Sequence, residues 1–269
     1  MAEVEVERSG PVITITLNRP EVRNAINAAM AQEVGRAIDE LEADADLRVA
    51  ILRGNVTEPN PVFCAGHDLK KLNALRQKMV GDVDDGEPIA YTPLGGFAGF
   101  VNYPRTKPVI AAVDGLATSG GLEIVLACDL VVASKRSAFS LAEVKWNAIA
   151  GSGALFRLPW TVGRAAALDI ILTGDRMSAE RAYQLGLVST LVDSSDVYSV
   201  ACGRAEMISR NGPIAIRESY RVANKAFTSP VEELWCLLDE AKEAVLRSKD
   251  ISAGIDAFVN KTEPEFKGA

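Results

Sequence analysis

Ser119-Gly120-Gly121-Leu122-Glu123 joins a small polar residue and a glycine pair to an apolar, helix-like run with a carboxylate in its first turn. Glycines at a helix start allow close approach to the backbone, and the first N–H groups of a helix have no partner inside it. Those groups lie at the positive end of the helix dipole, where a carbonyl oxygen gaining negative charge is stabilised. The stretch suggests acyl chemistry with Glu123 beside the donors. Read singly, a glycine pair before a helix is also a plain cap.

A second turn of the same design lies upstream, Phe63-Cys64-Ala65-Gly66-His67-Asp68-Leu69, shortly after the strand-like run Arg48 to Arg53. Two backbone donors converging on one oxygen would form an oxyanion hole, each worth roughly 3 to 4 kcal/mol. Around these turns, strand and helix signals alternate. Val4 and Val6 alternate with acids, and Val12, Ile13, Ile15 and Leu17 follow Gly10-Pro11, which predicts a hairpin. Ile26 to Leu41 has helical spacing, with Asn24 or Asn27 as its cap. Arg48 to Arg53, Pro108 to Val113 and Asp129 to Ala133 read as short buried strands. The glycine-, aspartate- and proline-rich region from about Lys78 to Gly96 reads as a long functional or mobile loop.

Beyond Gly151 the pattern turns helical. Arg164 to Leu172, Ser178 to Leu185, Ser195 to Ile208, Ile214 to Ala226 and Val231 to Leu246 are amphipathic candidates, with Leu187 to Leu191 as an intervening strand. The expected organisation is an α/β part over residues 1–190 and a helical part over 191–269.

Composition bounds the function. The chain has 269 residues, 48% hydrophobic and 24% charged, an ordinary globular mix. A net charge of −7 argues against nucleic acid or an anionic membrane surface as partner. Cys64, Cys128, Cys202 and Cys236 lack metal-ligand spacing, and there is one histidine, so no metal site is expected and reduced cytoplasmic thiols are the simpler reading. Met1 to Ser9 has no basic segment followed by an apolar stretch, so no targeting peptide is expected. No run reaches the roughly 18 apolar residues of a membrane span.

Five ordered blocks resemble the enoyl-CoA hydratase (crotonase) family: Leu17-Asn18-Arg19-Pro20-Glu21-Val22-Arg23-Asn24-Ala25, Phe63 to Leu69, Pro108-Val109-Ile110-Ala111-Ala112-Val113-Asp114-Gly115, Gly120-Gly121-Leu122-Glu123 and Leu172-Thr173-Gly174-Asp175-Arg176. The resemblance implies a crotonase-like spiral of ββα units with a carboxy-terminal helical trimerisation region, assembled as a homotrimer or homohexamer. It implies a thioester oxygen held by the backbone N–H groups of His67 and Gly120. It also implies two catalytic carboxylates, Glu123 activating the water that attacks C3 and Glu143 delivering a proton to C2. Like charges so close would titrate as a coupled pair. Retention of both acids points to hydration or dehydration rather than to an isomerase or decarboxylase on the same scaffold.

Further carry-over places the adenine and pantetheine path of an acyl-CoA substrate along Ala25, Ala65, His67, Asp68 and Leu69 beside Gly120, with Arg23 and Lys70 as candidate phosphate cations. Coenzyme A is then part of the substrate, and no separate cofactor is expected. The family position of His67 contributes its backbone and varies in side chain, so its imidazole is not expected to be essential. After Glu143 the chain departs from the family pattern: Ala150 and Ala154 stand where proline and glycine are usual, and Ser119 replaces a frequent glycine. Gly95-Gly96-Phe97-Ala98-Gly99-Phe100, Gly66 to Lys70 and Glu265-Phe266-Lys267-Gly268 resemble the carnitinyl-CoA dehydratase branch, whose trimethylammonium substrate would suit an aromatic face among Phe97, Phe100, Tyr103 and Trp146. Some relatives bind RNA, which the acidic balance disfavours.

Overall fold

Runs of apolar residues too short for helices and without alternation build parallel strands covered on both faces. The computed structural model describes residues 2–68 and 90–269. β1 (Val4–Ser9) and β2 (Val12–Leu17) form the antiparallel hairpin expected at Gly10. A six-stranded sheet continues through β3 (Val49–Gly54), β7 (Val109–Val113), β9 (Leu130–Ser134) and β12 (Thr190–Val192), parallel from β2 onward. A smaller sheet holds β4 (Val62–Cys64), β8 (Leu116–Thr118), β10 (Ala138–Ser140) and β11 (Met177–Ser178). The successive pairs β3–β4, β7–β8 and β9–β10 therefore place one strand in each sheet. β5 (Tyr91–Thr92) and β6 (Gly96–Phe97) pair with one another.

The helices are α1 (Ala28–Ala43), α2 (Gly120–Ala127), α3 (Ala154–Val162), α4 (Arg164–Thr173), α5 (Ala179–Gln184), α6 (Val197–Ser209), α7 (Pro213–Lys225), α8 (Val231–Arg247) and α9 (Asp250–Asn260). On one face of the large sheet, Ile13, Ile15, Leu52 and Val113 pack with Met30 and Ile38 of α1, Phe63 and Phe139 of the small sheet, and Leu122 of α2. On the other face, Val12, Val49, Ile51 and Ile110 meet Val197, Ala201 and Ala205 of α6. β12 spans the 190/191 junction as the last strand of the sheet, and α6 covers that sheet.

Two sequence expectations resolve differently in detail. Asn27 caps α1, its side-chain oxygen accepting the Met30 N–H at 2.9 Å. Asn24 is instead buried, donating to the carbonyls of Asn55, Val62 and Phe63, so it staples the 19–25 turn to β4. The strand expected at Leu187 begins only at Thr190, because the Leu187 and Val188 N–H groups turn back to the Ala182 carbonyl.

Candidate active site

The two glycine turns meet. β4 and β8 are parallel neighbours, so the chain leaving each strand emerges at the same end of the small sheet. Gly66 has φ +89°, and a Cβ built on it would lie 2.7 Å from the Gly120 nitrogen. A Cβ on Gly121 would fall 2.0 Å from the Cys64 carbonyl oxygen, so the start of α2 can sit against β4 only with glycine there. Ile26 forms a parallel bridge with His67, in which the Ile26 N–H donates to Gly66 and the Asp68 N–H donates to Ile26. That pattern leaves the His67 N–H out of the pairing. Gly120 opens α2 and has no acceptor within it. Both donors expected of an oxyanion hole thus stand on adjoining turns. The helix foreseen after His67 lies outside the described residues, as do Leu69 and Lys70.

Ser119 enters α2 with φ 54° and ψ −127°, a conformation suited to glycine, the residue the resemblance leads one to expect there. For serine it costs on the order of 1 to 3 kcal/mol.

Glu123 is 2% exposed. Its Oε1 accepts the Ser152 N–H at 2.6 Å and the Ala154 N–H at 3.2 Å. Burial raises its pKa, against the opposing pull of these donors and of Arg157. The substitution at Ala154 therefore leaves the backbone donor in place, at the first residue of α3. Glu143 opens a short 3₁₀ turn, Glu143–Trp146, after β10. Burial raises its pKa too, and the Glu123 charge raises it further. Glu143 Oε2 is buried without a hydrogen-bond partner, whereas the Glu123 carboxylate is cradled. The structure brings the two acids within electrostatic reach of each other, in unequal surroundings.

His67 stacks on Phe97 with ring centroids 4.2 Å apart and lies 5.4 Å from Tyr91. Burial lowers its pKa and favours the neutral ring. Arg23, Ala25, Ala65, His67 and Asp68 line one strip: the Ala65 N–H donates to the Arg23 carbonyl at 3.0 Å, and Arg23 is exposed. Asp68 is engaged by Arg19, whose guanidinium also donates to the Ala25 carbonyl at 2.7 Å. Arg19 has no distinguishing sequence signal within the Leu17 to Ala25 stretch. Its half-buried ion pair with Asp68 organises this strip, a job visible only once residues 19 and 68 are adjacent.

Of the four aromatics considered for a cationic group, Phe97 and Phe100 are core residues, and Arg105 already lies 4.8 Å from the Phe100 ring centre. Tyr103 donates its hydroxyl to Asp39. Trp146 is 81% exposed. A cavity of about 230 Å³ elsewhere, at the starts of β3 and β7, contains neither glutamate. Its Lys107 and Arg48 are occupied by carbonyls of Leu41, Asp44, Ser209 and Phe266 at the ends of α1, α6 and the chain.

A family model described as enoyl-CoA hydratase/isomerase matches residues 7–269. The carnitinyl-CoA dehydratase of Salmonella paratyphi A is 36% identical over 273 aligned positions, covering 98% of each chain. Among solved structures, an enoyl-CoA hydratase from Mycobacterium tuberculosis H37Rv matches with a TM-score of 0.91 at 37% identity, over 100% of both chains. A carnitinyl-CoA hydratase from Mycobacterium avium matches with a TM-score of 0.76 at 36% identity, again over 100% of both.

Proposed function

The chain belongs to the enoyl-CoA hydratase/isomerase family, and we propose that it acts as a hydro-lyase, adding water reversibly and syn across the 2,3 double bond of a 2-enoyl-CoA thioester. The observation carrying this reading is the unequal carboxylate pair beside two abutting turns with free N–H groups.

In the proposed reaction the thioester oxygen accepts hydrogen bonds from the N–H groups of His67 and Gly120. Glu123, ionised in its cradle of donors, takes a proton from the attacking water as the oxygen bonds to C3. The π electrons move toward the thioester oxygen, where the two donors stabilise the enolate. Glu143, whose pKa is raised by burial and by the neighbouring Glu123 charge, gives its proton to C2 in this scheme. Transfer of the proton gained by Glu123 to Glu143 restores the starting state. Coenzyme A arrives as part of the substrate along Arg23, Ala25, Ala65 and Asp68, and no resident cofactor takes part.

The test follows the enoyl-thioester absorbance with crotonyl-CoA and longer 2-enoyl-CoAs. Glu123→Gln should lower kcat by about 10²- to 10⁴-fold. A purified protein that turns over none of them, with Glu123→Gln changing nothing, overturns the proposal.

The Salmonella relative's name supports a second reading in which the acyl group carries a trimethylammonium, with Trp146 as its open aromatic face. A higher kcat/KM for crotonobetainyl-CoA than for crotonyl-CoA, lost in Trp146→Ala, decides for it. We also propose a cytoplasmic homotrimer or homohexamer, because Phe227, Trp235 and Phe258 stand exposed in the carboxy-terminal helical region. Light scattering on purified protein checks the assembly, and a monomer would refute it.

A further inference from the structure

We infer that Tyr91 is a positioning residue for the attacking base, acting through Ser152; the inference rests on the reading of Glu123 as that base. Ser152 is held on three sides. Its N–H donates to Glu123 Oε1 at 2.6 Å, its carbonyl accepts from Arg157 Nη1 at 3.1 Å, and its hydroxyl meets the Tyr91 hydroxyl at 3.2 Å. Arg157 in turn donates to the Val101 carbonyl at 2.7 Å, which fixes the outer side of the 151–154 loop to the 90–103 segment. Tyr91 makes a second tie between the same two segments, through the serine hydroxyl that also interacts with Glu123.

The geometry matters because Ser152 supplies the shorter of the two backbone bonds to the carboxylate. Ser152 itself is 5% exposed, so its hydroxyl has few alternatives to Tyr91 and Glu123. Without the Tyr91 hydroxyl the loop would be tied to the 90–103 segment only through Arg157 on the Ser152 carbonyl. Tyr91 also belongs to the ring cluster at the oxyanion turn, 5.4 Å from His67 and 5.6 Å from Phe97 by ring centroids. One side chain thus touches the wall of the acyl site and the support of the base.

Other ionisable groups border Glu123. Arg157 comes from α3 and favours its ionised form, while Glu143 opposes it. Cys64 lies on β4, which packs against α2, and its thiol stays protonated, pushed up to about 12 by burial. His67, across the site, is held toward its neutral form. None of these groups is altered by removing the Tyr91 hydroxyl, so a change in the ionisation of Glu123 in Tyr91→Phe reports on Ser152.

The experiment compares Tyr91→Phe, Ser152→Ala and the double variant in the hydration assay across pH, with thermal melting as a check on folding. Tyr91→Phe should lower kcat roughly fivefold, the scale of one hydrogen bond, with KM unchanged. The rising limb of the kcat profile should move to higher pH, because Glu123 loses support for its charge. The double variant should be no worse than Ser152→Ala. A Tyr91→Phe effect confined to KM, an unmoved rising limb, or an additive double variant overturns the inference. Abolition by Glu123→Gln in the same series, with Tyr91→Phe silent, sinks the role of Tyr91 and leaves the hydratase reading standing. Inertness of Glu123→Gln sinks both.

Discussion

Gly66→Ala perturbs the junction of the two turns without touching either carboxylate. At φ +89° an alanine costs about 1 to 2 kcal/mol in backbone strain. Its Cβ would also lie 2.7 Å from the Gly120 nitrogen and 3.3 Å from the Gly120 Cα, where ordinary contact begins near 3.4 Å. One turn must therefore retreat by about 0.7 Å. Neither retreats freely: the Gly66 carbonyl accepts the Ile26 N–H at 2.7 Å, and Ser119, just before Gly120, donates to the Ser140 carbonyl at 2.9 Å. Misplacement near 1 Å costs about 10²-fold in rate, and loss of one oxyanion donor about 10²- to 10³-fold. We expect kcat for crotonyl-CoA to fall by about 10²- to 10³-fold with a lesser change in KM. Gly186→Ala is the control. Its φ is similarly positive at +87°, but its Cβ would meet nothing nearer than 4.0 Å. It should show the loss in melting temperature with unchanged kcat. If Gly66→Ala keeps kcat within threefold of the parent while its melting temperature falls like that of the control, the junction is only a tight turn and the oxyanion assignment fails.

His67→Ala should retain most of the activity, because the ring is stacked on Phe97 and held neutral by burial while its backbone N–H is untouched; a loss of several hundred-fold in kcat would make the imidazole catalytic. Glu143→Gln should abolish most turnover and also change stability with pH. The raised pKa of Glu143 in the folded state means that folding favours its protonated form. That stabilisation is complete below the unfolded value, about 4.3, and is lost as pH rises through the folded value. Glutamine has no charge to bury. The variant's melting temperature relative to the parent should therefore climb as pH rises above about 4.3. A difference independent of pH would show that Glu143 is not held against ionisation.

The elements legible in the sequence are those whose pattern is local. Val109 to Val113 is buried throughout because β7 is covered on both faces, and an unbroken apolar run can signal that without knowledge of its neighbours. Asn24 and Asn27 show where locality ends. Both are plausible caps by composition, and only the arrival of β4 beside residue 24 turns its amide to the Val62 and Phe63 carbonyls. Each glycine turn is legible on its own, but their meeting in one site and the role of Glu143 rest on the resemblance, since 54 positions separate Gly66 from Gly120 and neither block encodes the other's position. Ser152 and Tyr91 carried no signal of their own. A loop N–H and a tyrosine at the edge of a two-residue strand have no periodicity and no motif, yet both support the carboxylate that the motif identifies.

Ser119 joins the two kinds of information. Its departure from the usual glycine is visible in the sequence, but the departure acquires a meaning only from its φ of 54° and ψ of −127° and from the side chain it faces. A serine there carries strain of order 1 to 3 kcal/mol that glycine would avoid. In return its hydroxyl interacts with Glu143 and lowers the pKa that burial and Glu123 raise. A substitution that looks like a minor deviation from the family thus falls on the residue that links the start of α2 to Glu143.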